Sequence, residues 1–309
     1  MSTDHGLHIS ANRFSYSFSS SPSAKSNPPT VIYFISGNPG LIGYYYTFLS
    51  LLSEYIKSQT SQNAQNISFL VSGHSLAGFG LPESNNAEKN GSQSHYRDLE
   101  EQICFAQKKL DDLIMDLNSN ATPNVILIGH SVGSYIAMEI LRRHRDRTRN
   151  EKSSVDFNIN GGVMLFPTVV DIAKSPSGQK LTRILYFIPQ LALMVGAFVR
   201  ILTALIPHAI LWRLVNFYMG SPPRGMVDTT TAFLKSRGGV QQALHMAADE
   251  MRIITSDKWS DDVWGMSASH DPISRLYFYF GRNDHWVAEQ TRDEIVAIRG
   301  RGPGGPKMI

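Results

Sequence analysis

Gly129-His130-Ser131-Val132-Gly133 sets a serine between two glycines, directly after the apolar run Val125–Ile128 and before a segment with helical spacing. A strand that turns sharply into a helix holds such a serine in a strained backbone conformation, and small neighbours let the two segments pass. The hydroxyl then stands at a helix N-terminus, where the dipole and free N–H groups favour developing negative charge. Ser131 is therefore the candidate nucleophile for acyl transfer. That chemistry needs two N–H donors aimed at the tetrahedral oxygen. Val132, the residue after the nucleophile, is one candidate. The other lies in Ser36-Gly37-Asn38-Pro39-Gly40, a turn after an earlier apolar run. Pro39 has no N–H, so Asn38 is the better donor and Gly40 the second. Asp284, just past the run Leu276–Phe280, is the candidate acid. Asp271 is the fallback, although its place before Pro272 suits a turn.

A second serine sits in a similar setting, Gly73-His74-Ser75-Leu76-Ala77-Gly78. Gly78, Gly80 and Pro82 follow at once, so no helix can start there, and Ser75 reads as part of a loop. An activated serine also needs a base. His285 is too close in sequence to Asp284 to be its natural partner. His130 belongs beside the nucleophile, His208 and His245 fall in an insert, and His95 and His270 read as loop residues. Residues 299–309 contain no histidine. The sequence thus offers a nucleophile, an oxyanion hole and an acid, with no well-placed base.

The elements that must position these groups alternate. Val31–Ile35, Ile67–Val71, Val125–Ile128, Gly162–Phe166 and Leu276–Phe280 read as strands, with Phe14–Phe18 at most a short edge strand. Residues 44–57, 99–117, 134–143 and 288–298 read as helices. Strands alternating with helices imply an α/β fold, with a mostly parallel sheet covered on both faces. Two segments interrupt the pattern, a polar loop at 80–95 and an insert at about 168–272. Residues 1–30 read as a flexible leading segment, 31–300 as the domain, and 301–309 as a tail.

The 309 residues carry 29 Lys+Arg against 26 Asp+Glu, a net charge of +3, which makes no electrostatic case for nucleic acid as a partner. A hydrophobic fraction of 42% excludes global disorder. Cys104 is the single cysteine, so neither an internal disulfide nor a cysteine-based zinc cage can form. Nothing in the chain calls for a cofactor or a metal.

Ser36–Gly40 followed by Tyr44-Tyr45-Tyr46 and Phe48, Gly129–Ser134, Leu165-Phe166-Pro167-Thr168 with Ser175-Pro176-Ser177-Gly178, and Phe280–Trp286 together resemble the lipid-droplet-associated hydrolase family in its fungal form. The resemblance covers about residues 31–300. It implies an α/β-hydrolase fold with a hydrophobic helical cap, association with lipid droplets and the endoplasmic reticulum at their cytosolic face, and hydrolysis of neutral lipid or sterol esters. It also implies Ser131 as nucleophile and Asp284 as acid. Members of the family continue through a last strand to a histidine-bearing loop and a final helix. Pro306-Lys307-Met308-Ile309 stands where that strand should begin, so the expectation is a truncated sequence or a catalytically dead hydrolase.

Residues 180–218 are the candidate lipid contact. Ile184–Trp212 is nearly all apolar, and its longest stretch before Arg200 is about 16 residues, short of the roughly 20 that a spanning helix needs. Arg183, Arg200 and Arg213 can snorkel toward headgroups. Pro189 and Pro207 would divide the segment into short helices lying in one leaflet. Three functions remain open at this point: a serine hydrolase of lipid esters, a non-catalytic lipid-surface protein, and a soluble thioesterase or acyltransferase on the same elbow.

Overall fold

In the chain-order description of the computed structural model, β1 (Gly6–Ser10), β2 (Arg13–Ser19), β3 (Thr30–Ile35), α1 (Tyr46–Gln62), β4 (Ser68–His74), α2 (Leu99–Asp116), β5 (Asn124–His130) and α3 (Val132–Arg149) come first. They are followed by β6 (Asn158–Leu165), α4 (Pro176–Phe187), α5 (Leu191–Leu205), α6 (His208–Tyr218), α7 (Arg224–Lys235), α8 (Gly239–Ile253), β7 (Arg275–Tyr279), α9 (Glu289–Arg299) and β8 (Lys307–Met308). The structure describes residues 6–20, 28–62, 67–81, 95–117, 121–150, 155–187, 191–266, 275–282, 284–300 and 305–309.

The strands form one sheet in the order β1-β2-β4-β3-β5-β6-β7-β8. Pairing is parallel from β4 through to β8 and antiparallel at β1–β2 and β2–β4. The continuous apolar run in β3 is the signature of a strand buried on both faces. Val31, Tyr33 and Ile35 pack with α2 and α3, whereas Ile32 and Phe34 pack on the other face with Leu49 of α1. The sequence Asp98-Leu99-Glu100-Glu101 starts α2 with a reciprocal cap: the Asp98 carboxylate accepts from the Glu101 N–H at 2.8 Å, and the Glu101 carboxylate accepts from the Asp98 N–H at 3.1 Å.

Two segments differ from the sequence expectation. Phe14–Phe18 is not an edge strand. It lies within β2, paired on both sides, and Phe14, Tyr16 and Phe18 alternate into the core beneath α1. Residues 6–20 of the leading segment are thus a hairpin on the sheet. Residues 257–266, placed in the insert, belong to the core layer. Trp259 donates its indole N–H to Glu139 of α3 at 2.8 Å, and Trp264 stacks on Phe278 of β7 at 5.2 Å. Residues 307–309 pair beside β7, where the sequence expects a last strand to begin: the Ile309 N–H donates to the Phe278 carbonyl and the Phe280 N–H to the Ile309 carbonyl.

Helices α4–α8 form a layer between β6 and β7 in sequence. Three contacts tie α8 to the domain beneath. Gln242 both accepts from the Arg97 N–H and donates to the Arg97 carbonyl at 2.8 Å, Asp249 accepts from the Leu99 N–H at 2.9 Å, and Asn38 donates to the helix. Tyr44 and Thr230 share a hydrogen bond of 3.0 Å, which holds α7. The sequence break expected at Pro189 lies outside the described residues.

Candidate active site

Because β3, β5, β6 and β7 are parallel, the segments that leave their C-terminal ends open on one edge of the sheet, the usual ligand edge of such folds. Those segments carry Asn38, Ser131, Phe166 and Asp284.

Ser131 has φ 53° and ψ −124°, a left-handed conformation costly for a residue with a side chain, on the order of 1–3 kcal/mol. The surroundings hold it there. Its N–H donates to the Leu165 carbonyl of β6 at 2.9 Å, and its carbonyl accepts from the Ser134 N–H at 2.9 Å. A β-carbon on Gly133 would run into the Ile35 carbonyl oxygen, and one on Gly129 into the backbone of Gly133. Both positions therefore require glycine for close approach. The Ser131 side chain is half-buried at the mouth of the site. Val132 opens α3, so its N–H has no intrahelical acceptor.

The loop after β3 lies against this elbow. A β-carbon on Gly37 would sit 3.1 Å from the Ser131 Cβ and 2.9 Å from the His130 Nδ1. The Gly37 N–H donates to the Tyr45 hydroxyl at 3.1 Å, and that hydroxyl lies 3.0 Å from the His130 Nδ1. Burial pushes the Tyr45 phenol up to about 12, so the hydroxyl keeps its proton. Burial also holds His130 below its ordinary value, partly opposed by the charge of Asp284. The side-chain amide of Asn38 spends both hydrogens on α8, one on the Ala243 carbonyl and one on Glu250 Oε1, each at 2.9 Å. Its backbone N–H is the donor left for a ligand.

Asp284 is half-buried, and its carboxylate accepts from the Trp286 N–H at 2.8 Å. Phe166, at φ 49°, joins the acid loop to the elbow. Its ring meets His130 edge-on at 5.8 Å and lies against Gly281. The motif Ser175–Gly178 has a structural part here. Ser175 Oγ donates to the Ile172 carbonyl and accepts from the Gly178 N–H, while the Ser177 N–H donates to the His285 carbonyl at 3.0 Å. The start of α4 is thereby pinned to the acid loop.

The structure brings Ser131, Val132, Asn38 and the Asp284 loop to one edge, and it adds Tyr45, Phe166 and Glu250. Among the described residues, no histidine hydrogen-bonds the Ser131 hydroxyl. His285 and His208 are exposed, His95 pairs with Glu101 at 2.8 Å, and the His245 ring stands 6.0 Å from Tyr96. Asp271 and His270 lie outside the described residues. Ser75 lines a groove of about 1030 Å³ with His74, Arg13 and Lys109. Among the described residues 76–81 directly after it there is no helix, and its hydroxyl accepts from the Ile42 N–H at 3.2 Å. Ser75 thus lines a groove but lacks the elbow, and backbone geometry favours Ser131.

A sequence profile described as lipid-droplet associated hydrolase matches residues 28–308. The chain belongs to the lipid-droplet associated hydrolase family. Among lipid droplet-associated hydrolases, that of Gallus gallus is 26% identical over 283 residues, covering 88% of this chain and 75% of the relative. That of Mus musculus is 25% identical over 273 residues, covering 87% and 74%. A solved structure, the 2-hydroxy-6-oxo-6-phenylhexa-2,4-dienoate hydrolase of Rhodococcus sp., superposes with a TM-score of 0.53 at 11% identity, covering 98% of this chain and 90% of the other. This likeness establishes the α/β-hydrolase fold. Membership of the lipid-droplet associated hydrolase family adds the hydrolase class and the lipid context.

Proposed function

We propose that this chain is a serine hydrolase of carboxylic esters in neutral lipids or sterol esters, working at the surface of lipid droplets and the endoplasmic reticulum on the cytosolic side, in lipid storage. The observation that carries the reading is Ser131 in its left-handed conformation at the N-terminus of α3. Ser131 Oγ attacks the ester carbonyl carbon while its proton passes to a base. The N–H groups of Val132 and Asn38 hold the resulting oxyanion. Collapse expels the alcohol, which takes up the proton, and water then hydrolyses the acyl-serine by the same steps. Asp284 orients the base, which in this fold is a histidine that follows the acid in sequence; residues 286–309 of this sequence hold none, so the proton acceptor is not supplied by the residues after the acid loop.

The cap supports contact with a lipid surface. Met194, Phe198, Ile201 and Leu205 recur on α5 at spacings of three and four and are exposed, as are Ile210, Leu214, Phe217 and Tyr218 on α6. No helix among the described residues is long and apolar enough to cross a membrane. At about 1.5 Å per residue, α5 spans roughly 22 Å, which suits a helix lying in one leaflet.

A second reading is a non-catalytic lipid-surface protein on the same fold. The observation favouring it is that no described histidine hydrogen-bonds Ser131. Hydrolysis of emulsified triolein and cholesteryl oleate by the protein and by Ser131→Ala separates the two. The enzyme reading expects fatty acid release that Ser131→Ala abolishes. Release that persists unchanged in Ser131→Ala would refute it.

A further inference from the structure

We propose that Glu250, on α8, is a positioning residue that holds the Asn38 loop and with it the backbone N–H assigned to the oxyanion. The inference rests on the ester-hydrolase reading of Ser131, which it deepens. Ala243 and Glu250 lie seven residues, two turns, apart on α8 and so share a face. The Ala243 carbonyl and the Glu250 carboxyl converge on the one amide nitrogen of Asn38, which gives a hydrogen to each at 2.9 Å. Asn38 is followed by Pro39, which has no N–H, and preceded by Gly37, whose N–H is committed to Tyr45. The side chain of Asn38 is thus the part of this turn that fastens it to the cap, and Glu250 is the one side-chain group in that clasp.

The chemistry of the pair is specific. Glu250 is 4% exposed and has no ion-pair partner among the described residues. Burial pushes its carboxyl up to about 8, opposed by the Asn38 hydrogen bond and aided by the neighbouring charge of Asp249. At neutral pH it is mainly a carboxylic acid, with one oxygen that accepts and one O–H that donates. The Asn38 Oδ1 is buried and has no hydrogen-bond partner among the described residues. The cap and the oxyanion loop are thereby joined through groups 212 residues apart. Substrate seated under the cap would meet a preorganised donor, which is the part of catalysis that acts only on the transition state.

The test is steady-state hydrolysis of p-nitrophenyl butyrate by the full chain, by Ser131→Ala, Glu250→Ala and Glu250→Gln, with thermal unfolding as a check on folding. Loss of one oxyanion donor commonly costs 10²–10³ in kcat, and a loosened donor is expected to cost about 10- to 100-fold. Glu250→Ala should lower kcat by that factor with KM within about threefold. Glu250→Gln presents an acceptor and a donor in the same places and should restore kcat to within about threefold of the parent. If Glu250→Ala does not fold, Glu250→Asp, which keeps the acid and withdraws it by one methylene, replaces it with the same expected loss. An unchanged kcat in the Ala or Asp variant, a rise in KM alone, or a Gln variant as impaired as Ala overturns the proposal. Those results leave Ser131 untouched. Hydrolysis that is indifferent to Ser131→Ala would instead overturn the reading of the site, and this inference with it.

Discussion

A β-carbon placed on Gly37 would lie 3.1 Å from the β-carbon of Ser131, so the turn after β3 and the elbow after β5 touch through their backbones. Gly37→Ala would press on Ser131 and on the His130 Nδ1 together. The expected outcome is a loss of about 1–3 kcal/mol in stability and a fall in kcat of at least tenfold. Thermal unfolding and ester hydrolysis measured on the same sample check it. Parent-like kcat would show that the turn does not govern the serine.

Three histidines, His144 buried and His74 and His130 half-buried, should make the fold acid-sensitive. Burial, with Arg13 and Lys109 nearby, pushes His74 down to about 4, and burial also lowers His130 and His144. In the unfolded chain each binds a proton near pH 6.5. Between that pH and about 4 the unfolded state holds more protons than the folded one, so stability rises with pH across the window and is lost as pH falls. The urea midpoint should drop between pH 7 and pH 5, and His74→Gln should reduce the drop. A midpoint that is flat over this range would contradict the burial of these rings in neutral form.

The exposed faces of α5 and α6 make a prediction that leaves the core intact. Phe198 is 65% exposed and Phe217 85%. Burying such a side chain in lipid contributes about 1.5–3 kcal/mol, so each should contribute about 10- to 100-fold to partitioning. The double variant Phe198→Ser, Phe217→Ser should remain with the aqueous fraction when phospholipid-coated triolein droplets are floated, at an unchanged melting temperature. Equal flotation of the parent and the variant would refute the cap as the lipid contact.

The elbow was legible because its signal is steric and local. Glycines at 129 and 133 are demanded by backbone oxygens within a few residues or one strand away. The β3 run was legible because both of its faces are apolar. Residues 14–18 alternate aromatic with serine, and their place inside the sheet depends on pairing with β4, more than fifty residues on. The Trp259–Trp264 segment has no period of its own. It is held by Glu139 and Phe278, contacts that only the folded chain makes. Glu250 gave no local sign either, since an acid in a mixed helix reads as surface until Asn38 is found beneath it. Tyr45 stood in a tyrosine cluster carrying part of the family resemblance, yet its role between Gly37 and His130 needed three segments in place.

The most direct test of Ser131 as nucleophile is the intact mass of the protein after reaction with a fluorophosphonate ester, followed by peptide mapping of the adduct. The account predicts a single phosphonyl group per chain, located on Ser131 and absent from Ser131→Ala. An adduct mapped to Ser75 or to any other residue, or a parent protein that forms none, would contradict it.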